Sequence, residues 1–354
     1  MSATPKLYIA GMGMITPVGF DTASTAASVR AGISGYREST LLNKRVDPIT
    51  IAAVPEEALP PLHEELEYTD GLTARQQRLL RLITPAISEV FESYQHDEPV
   101  PLFLAGPEAL PGRPAPLGER FIGDVVLQTG ANLQQAYSRQ FLTGRAGGLQ
   151  AVDTAFKYIG STGHHFALVG GADTFIDLHW LRTLDNADRM MADGVRDGFV
   201  AGEAAGFLLL ATEAGMARLG RQPAIQLTKP GLAPETGHRY SEQPYRGDGL
   251  SNAIKLAVAQ GVNQPIRTIY ASLNGEHFGA KEYSVASIRN KAAFDDAVVT
   301  EHPADCFGDI GAAFGPVLLG LAAMGIRQQY KPGPALVYCS SENQPRAAIC
   351  ISSR

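Results

Sequence analysis

Cysteine is scarce in this chain: Cys306, Cys339 and Cys350 are the only three among 354 residues. An odd number with no paired metal-ligand spacing argues against a disulfide framework and against a cysteine-held metal, and free thiols fit a reducing compartment. Runs of consecutive lysine or arginine are also missing, and the formal net charge is −6. A polyanion would find no electrostatic footing, so nucleic acid is excluded as a partner. The apolar stretch Leu7–Ile15 is too short to span a membrane. Met1-Ser-Ala-Thr-Pro-Lys6 lacks the ordered charge, apolar run and cleavage site of a signal peptide, which makes the cytoplasm the expected location. No Gly-x-Ser-x-Gly nucleophile elbow occurs. His164 and His165 are adjacent on a strand and point to opposite faces, poor geometry for sharing a metal. Neither a metal nor a cofactor is expected.

What is present is a core-forming composition, with 45% apolar and 19% charged residues. This predicts one large globular unit or two intimately packed ones. Lys6 to Gly19 reads as a buried strand ending in a glycine turn, followed by a helix from Thr22 to Ala31. Gly11-x-Gly13 invites a dinucleotide reading, but the third glycine would fall at Thr16 and Pro17 stands where a helix should already run, so that reading fails. A periodic apolar face from Leu72 to about Tyr94 predicts a helix that Pro85 should kink or divide. A strand is expected at Pro101–Gly106, a loop over the proline-rich 107–116, a strand at 166–170, a connecting region at 176–191 and an apolar strand after Gly206.

The second part repeats this grammar. Strands are expected at 223–227, 268–273, 334–340 and 347–352, with helices at 248–260 and 310–328. The fold class is therefore α/β, with two similar halves meeting near 216–222, one over 1–218 and the other over 219–354.

Three stretches carry a resemblance: Thr143-Gly144-Arg145-Ala146-Gly147-Gly148-Leu149, the strand Phe166–Asp173, and Arg196-Asp197-Gly198-Phe199 running on to Gly206. Together they resemble the β-ketoacyl-acyl-carrier-protein synthases of the thiolase-fold superfamily. The resemblance implies a pseudo-duplicated fold with α-β-α-β-α layers and a homodimer, for which apolar strands near Leu168 are the candidates.

It also implies an active site, and each element of that site is altered. Arg145 stands where the family has its nucleophilic cysteine, and a guanidinium stays protonated at any accessible pH. Asn274, after the strand at 268–273, aligns with the first family histidine, and it retains only a hydrogen-bond donor; His277 is out of register and reads as an exposed loop residue. In Pro303-Ala-Asp-Cys-Phe-Gly308-Asp309-Ile-Gly-Ala-Ala-Phe, the family lysine and second histidine become Pro303 and Gly308. The glycine loop that serves the oxyanion becomes Ser341–Arg346, without glycine. Cys306 lies beside this region and reads as a buried small apolar residue rather than a substitute nucleophile.

A cation at a helix N-terminus is unfavourable and needs an anion. Arg145 is expected to pair with Glu276 or Asp309 and to plug the former acyl pocket. The charges of Arg196-Asp197 fit a bracing role near the site. Two functions follow from the resemblance. The first is a catalytically degenerate accessory protein that binds another protein, such as a partner subunit of a condensing enzyme or an accessory of type VI secretion effector delivery. The second is an acyl-carrier-protein-dependent acyltransferase with relocated chemistry.

Overall fold

The structure is a computed structural model, and it describes residues 5–94, 96–113, 117–262 and 264–354. Residues 1–4 of the N-terminal reading and residues 114–116 of the proline-rich loop lie outside the described residues.

The chain opens with β1 (Leu7–Ile15), α1 (Thr22–Arg30), the antiparallel pair β2 (Arg37–Leu42) and β3 (Pro48–Ala52), and the short α2 (Glu64–Glu67). Next come α3 (Ala74–Glu92), β4 (Leu102–Ala105), α4 (Phe121–Thr129), β5 (Arg139–Phe141), α5 (Gly147–Thr162) and β6 (Phe166–Thr174). α6 (Leu178–Asn186), β7 (Ala201–Ala211) and α7 (Glu213–Arg218) complete the first part. The second part contains β8 (Ile225–Leu227), β9 (Gly231–Pro234), α8 (Asp248–Val258), β10 (Ile266–Ala271), α9 (His277–Arg289) and β11 (Phe294–Glu301). It ends with α10 (Ala304–Phe307), α11 (Phe314–Arg327), β12 (Ala335–Ser340) and β13 (Pro345–Ser353).

Strand pairing exposes the repeat that no sequence identity shows. In the first part the order is β5-β4-β6-β7-β1, and in the second it is β11-β10-β12-β13-β8. The first two pairings of each set are parallel and the last two antiparallel. The sets join where β1 pairs with β8 at Leu7↔Leu227 and Tyr8↔Gln226. Strand alternation then builds the layers. Leu208 and Leu210 of β7 pack inward with α5 and α11, whereas Phe207 and Leu209 pack outward with α3. In the second set Val337 and Cys339 face inward, and Leu336 and Tyr338 face α8. The result is the α-β-α-β-α arrangement of the thiolase-like fold.

α5 and α11 form the middle layer, and each follows a tight turn, Gly144–Ala146 and Gly311–Ala313. They approach closely because Gly148 faces Gly315 at the crossing. A Cβ on Gly148 would come within 2.6 Å of Pro316 Cδ.

Two expectations need correction, and one strand is new. Pro85 does not divide α3, which runs unbroken through it after a Thr73–Gln76 capping box. Leu82, Ile83, Ala86 and Ile87 bury on both sides of the proline in one core, and this offsets its cost of about 3 kcal/mol. Leu168 is not at a sheet edge: β6 lies between β4 and β7, and Leu168 is fully buried, so no second copy can pair there. The edges of the main ladder are β5 and β11. β11 itself went unread because Phe294-Asp-Asp-Ala-Val-Val-Thr-Glu is an exposed edge without a clean apolar alternation. Among the described residues, no helix is long and apolar enough to cross a membrane.

Candidate functional site

The two turns before α5 and α11 meet at the centre of the molecule, and Arg145 lies between them. Arg145, on the first turn, is 7% exposed. Its Nε donates to Asp309 Oδ1 at 3.2 Å and its Nη2 to Asp309 Oδ2. Its Nη1 donates to Glu342 Oε1 at 3.1 Å and to the Ser340 carbonyl at 3.3 Å. Burial disfavours the guanidinium charge, but Asp309 and Glu342, with Glu276 nearby, outweigh it and hold the pKa well above the usual arginine range.

Of the two carboxylates named from sequence, Asp309 is the direct partner and Glu276 is not. Glu276 binds Arg189, with Nε–Oε1 at 2.8 Å and Nη2–Oε2 at 2.7 Å, and it meets Arg239 at 3.0 Å. The reason is placement: Asp309 sits two residues before the Gly311 turn and is drawn in by that turn's N–H, whereas Glu276 caps the start of α9 beside the segment following α6. Asn274 bridges the two acids, donating to Glu276 Oε2 at 2.9 Å and to Asp309 Oδ2 at 3.0 Å.

Glu342, Arg189, Arg239 and Glu108 complete the site, and sequence reasoning had not assigned them to it. Glu342 Oε1 also accepts from Arg189 Nη2 at 3.1 Å, and Glu342 Oε2 lies 3.0 Å from Arg239 Nε. Burial alone would raise the Glu342 pKa, but Arg145, Arg189 and Arg239 together bring it down to about 2. Glu108 anchors the loop that carries Glu342. It accepts from the N–H groups of Glu342 at 2.9 Å and Asn343 at 3.2 Å, and from Asn343 Nδ2 at 3.1 Å. Burial pushes its pKa up to about 7, with the Glu342 carboxylate adding to the rise and the backbone hydrogen bonds and Arg145 opposing it.

The cluster holds three guanidinium groups, Arg145, Arg189 and Arg239, against three carboxylates, Asp309, Glu276 and Glu342. It leaves a cavity of about 20 Å³, roughly the room one water needs. An acyl chain does not fit.

The other residues named from the sequence lie as follows. Gly308 has φ +70°, and a Cβ there would lie 2.6 Å from the Val200 carbonyl oxygen, so the backbone excludes a side chain. Cys306 does not line the cavity; it packs in the middle-layer core, with its thiol pKa raised by burial and by Asp305. Burial pushes the Cys339 and Cys350 thiols up to about 12, so neither supplies a thiolate. His277 is exposed at the start of α9, where its N–H donates to Asp197 Oδ1 at 2.6 Å. Asp197 therefore braces the start of α9. His164 and His165 go separate ways, to Glu98 and Thr212. Among the described residues no group of three or more histidines, cysteines or acids could hold a metal.

The model of the N-terminal domain of β-ketoacyl synthases matches residues 138–215, a stretch that includes Arg145. The ishigamide ketosynthase/chain length factor superposes with a TM-score of 0.78 at 17% identity, covering 99% of this chain and 100% of that one. A type II acyl-carrier protein in complex with its ketosynthase bound to a hexaketide gives 0.77 at 14%, covering 99% and 100%. A ketosynthase in complex with its chain length factor from Xenorhabdus doucetiae gives 0.73 at 16%, covering 99% and 98%. No curated protein matches the chain in sequence. The chain is ketosynthase-like, with the thiolase-like fold.

Proposed function

We propose that the chain is a catalytically silent ketosynthase-like subunit that acts by binding another protein. The observation that carries this reading is the filled pocket: Arg145 and Glu342 fill the site between the two turns, with about 20 Å³ left over. A buried arginine paired to two carboxylates neither attacks a thioester nor takes up a proton at neutral pH. The similar structures support the partner role, since they include a ketosynthase with its chain length factor and a ketosynthase with its acyl-carrier protein. A homodimer and a cytoplasmic location complete the proposal. The narrower role in type VI effector delivery rests on the sequence resemblance alone.

The test is incubation of the purified chain with acyl and malonyl thioesters, followed by intact-mass spectrometry and a carbon dioxide assay. Unchanged mass and no decarboxylation are expected. A covalent acyl adduct, or decarboxylation lost in Arg145→Ala at unchanged melting temperature, would establish the acyltransferase reading instead.

A further inference from the structure

Glu342 is held as a receptor holds a ligand. Its two oxygens meet guanidinium groups from three separate segments: Arg145 before α5, Arg189 after α6, and Arg239 between β9 and α8. Each arginine has a second anchor that does not depend on Glu342. Asp309 fixes Arg145, and Glu276 fixes both Arg189 and Arg239. Without the Glu342 carboxylate, the three guanidinium groups would share two directly paired carboxylates, with Glu108, whose pKa burial pushes up to about 7, as the neighbouring acid; the nearly dry site would then carry excess positive charge whenever Glu108 is protonated. Such a site selects an anion, and guanidinium donors fixed in place favour a planar carboxylate.

The fit of Glu342 is also incomplete. Arg239 Nε and Glu342 Oε2 are close but misaligned, and neither atom has a hydrogen-bond partner among the described residues. The small cavity beside them is lined by Tyr338 and Arg346, both almost fully buried, and the Tyr338 hydroxyl and Arg346 Nη2 also have no partner among the described residues. A carboxylate free of the backbone could therefore settle at least as well as the tethered one. The tether is the loop that Glu108 holds through its three accepted hydrogen bonds.

We propose that Arg145, Arg189 and Arg239 form a receptor for a small monocarboxylate, which the chain fills with its own Glu342 side chain. The inference rests on the filled-pocket reading and adds the chemical class that the pocket accepts. Acetate matches the atoms of a glutamate side chain beyond Cβ one for one, so Glu342→Ala with acetate rebuilds the occupied site.

The experiment is thermal unfolding of the full-length wild type, Glu342→Ala and Glu342→Gln in sodium acetate, in sodium chloride at equal ionic strength, and in acetamide. Glu342→Ala should unfold at lower temperature than the wild type and be rescued saturably by acetate alone. At about ten times the dissociation constant, the folded-to-unfolded ratio should rise roughly tenfold over the chloride control. The wild type and Glu342→Gln, whose sites stay filled, should respond to acetate and chloride alike. Equal rescue by chloride, rescue by acetamide, or a Glu342→Ala variant as stable as the wild type would overturn the proposal. If Glu342→Ala is isolated unfolded, native circular dichroism recovered on dilution from urea into acetate, and not into chloride, supports it; recovery in neither overturns it. The readout is binding rather than turnover, so failed rescue leaves the silent-subunit reading standing, and turnover by the wild type would refute that reading without altering the rescue.

Discussion

Arg145 and Asp309 join the two half-repeats at equivalent places, one on the turn before α5 and the other just ahead of the turn before α11. Asp309 Oδ1 accepts from the Gly311 N–H at 3.0 Å as well as from Arg145 Nε at 3.2 Å, so one carboxylate serves both its own turn and the opposing one. The Asp309 side chain is fully buried and that of Arg145 is 8% exposed. The pair thus couples the folding of the two halves as well as filling the pocket.

Removing one partner from such a pair strands the other, which costs about 3–5 kcal/mol. Arg145→Ala is therefore expected to lower the unfolding free energy by that amount in urea titration, with an unchanged slope. Arg145→Cys should lose comparable stability and gain no condensing activity, because the new thiol would face Asn274 and Gly308 instead of two histidines. A malonyl decarboxylation assay on Arg145→Cys checks the second half of this expectation.

The strongly patterned parts of the fold were readable in the sequence. Buried strands present continuous apolar runs at 166–170 and 206–211, inside β6 and β7, and α11 is apolar nearly throughout. The edge strand β11 was hidden because two aspartates interrupt it, and Pro85 misled because tertiary burial overrode a local cost. At the site, the replaced catalytic positions could be found by register within motifs. The partner of Arg145 could be narrowed to two acids but not chosen, since Asp309 and Glu276 are both near in register and only the three-dimensional path of Arg189 takes Glu276 away. Glu342 was not legible as a ligand because, unlike Asp309, which lies in a recognisable motif beside a helix start, it sits in a loop whose motif is lost, and only the fold brings it to Arg145.

A side chain cannot be introduced at Gly308 without cost. Gly308 has φ +70° and ψ −163°, a region essentially confined to glycine that costs other residues about 1–3 kcal/mol, and the Val200 carbonyl blocks a Cβ. Gly308→His and Gly308→Ala should therefore both be destabilised, with the alanine losing at least that amount. A melting series on the two variants separates the backbone effect from the imidazole; an alanine variant as stable as the wild type would contradict it.

The sheet edges bear on assembly. Since Leu168 is internal, a second copy would have to use another surface, and the edges β5 and β11 are the open rows of backbone donors and acceptors. Isologous pairing is the commonest assembly of soluble chains, and light scattering is expected to return twice the monomer mass of 37.7 kDa. Proline substitution along the edge that carries the contact should convert the dimer to monomer, and a wild-type monomer at micromolar concentration would contradict the expectation.

Glu108 and Glu342 pull the pH dependence of stability in opposite directions. Glu342 has its pKa lowered from 4.5 to about 2 in the fold, so its contribution is present above 4.5 and is lost as pH falls towards 2. Glu108 has its pKa raised from 4.5 to about 7, so the folded state holds its proton more tightly than the unfolded state, and this contribution is full below 4.5 and is lost as pH rises through 7. Together the two groups place a stability maximum near pH 4.5, with a decline on either side. Urea titrations from pH 3 to 8 should show the upper decline in the wild type and a flatter profile in Glu108→Gln, which no longer ionises. Retention of the full upper slope in Glu108→Gln would assign that titration to another group and remove Glu108 as the pH-sensitive anchor of the Glu342 loop.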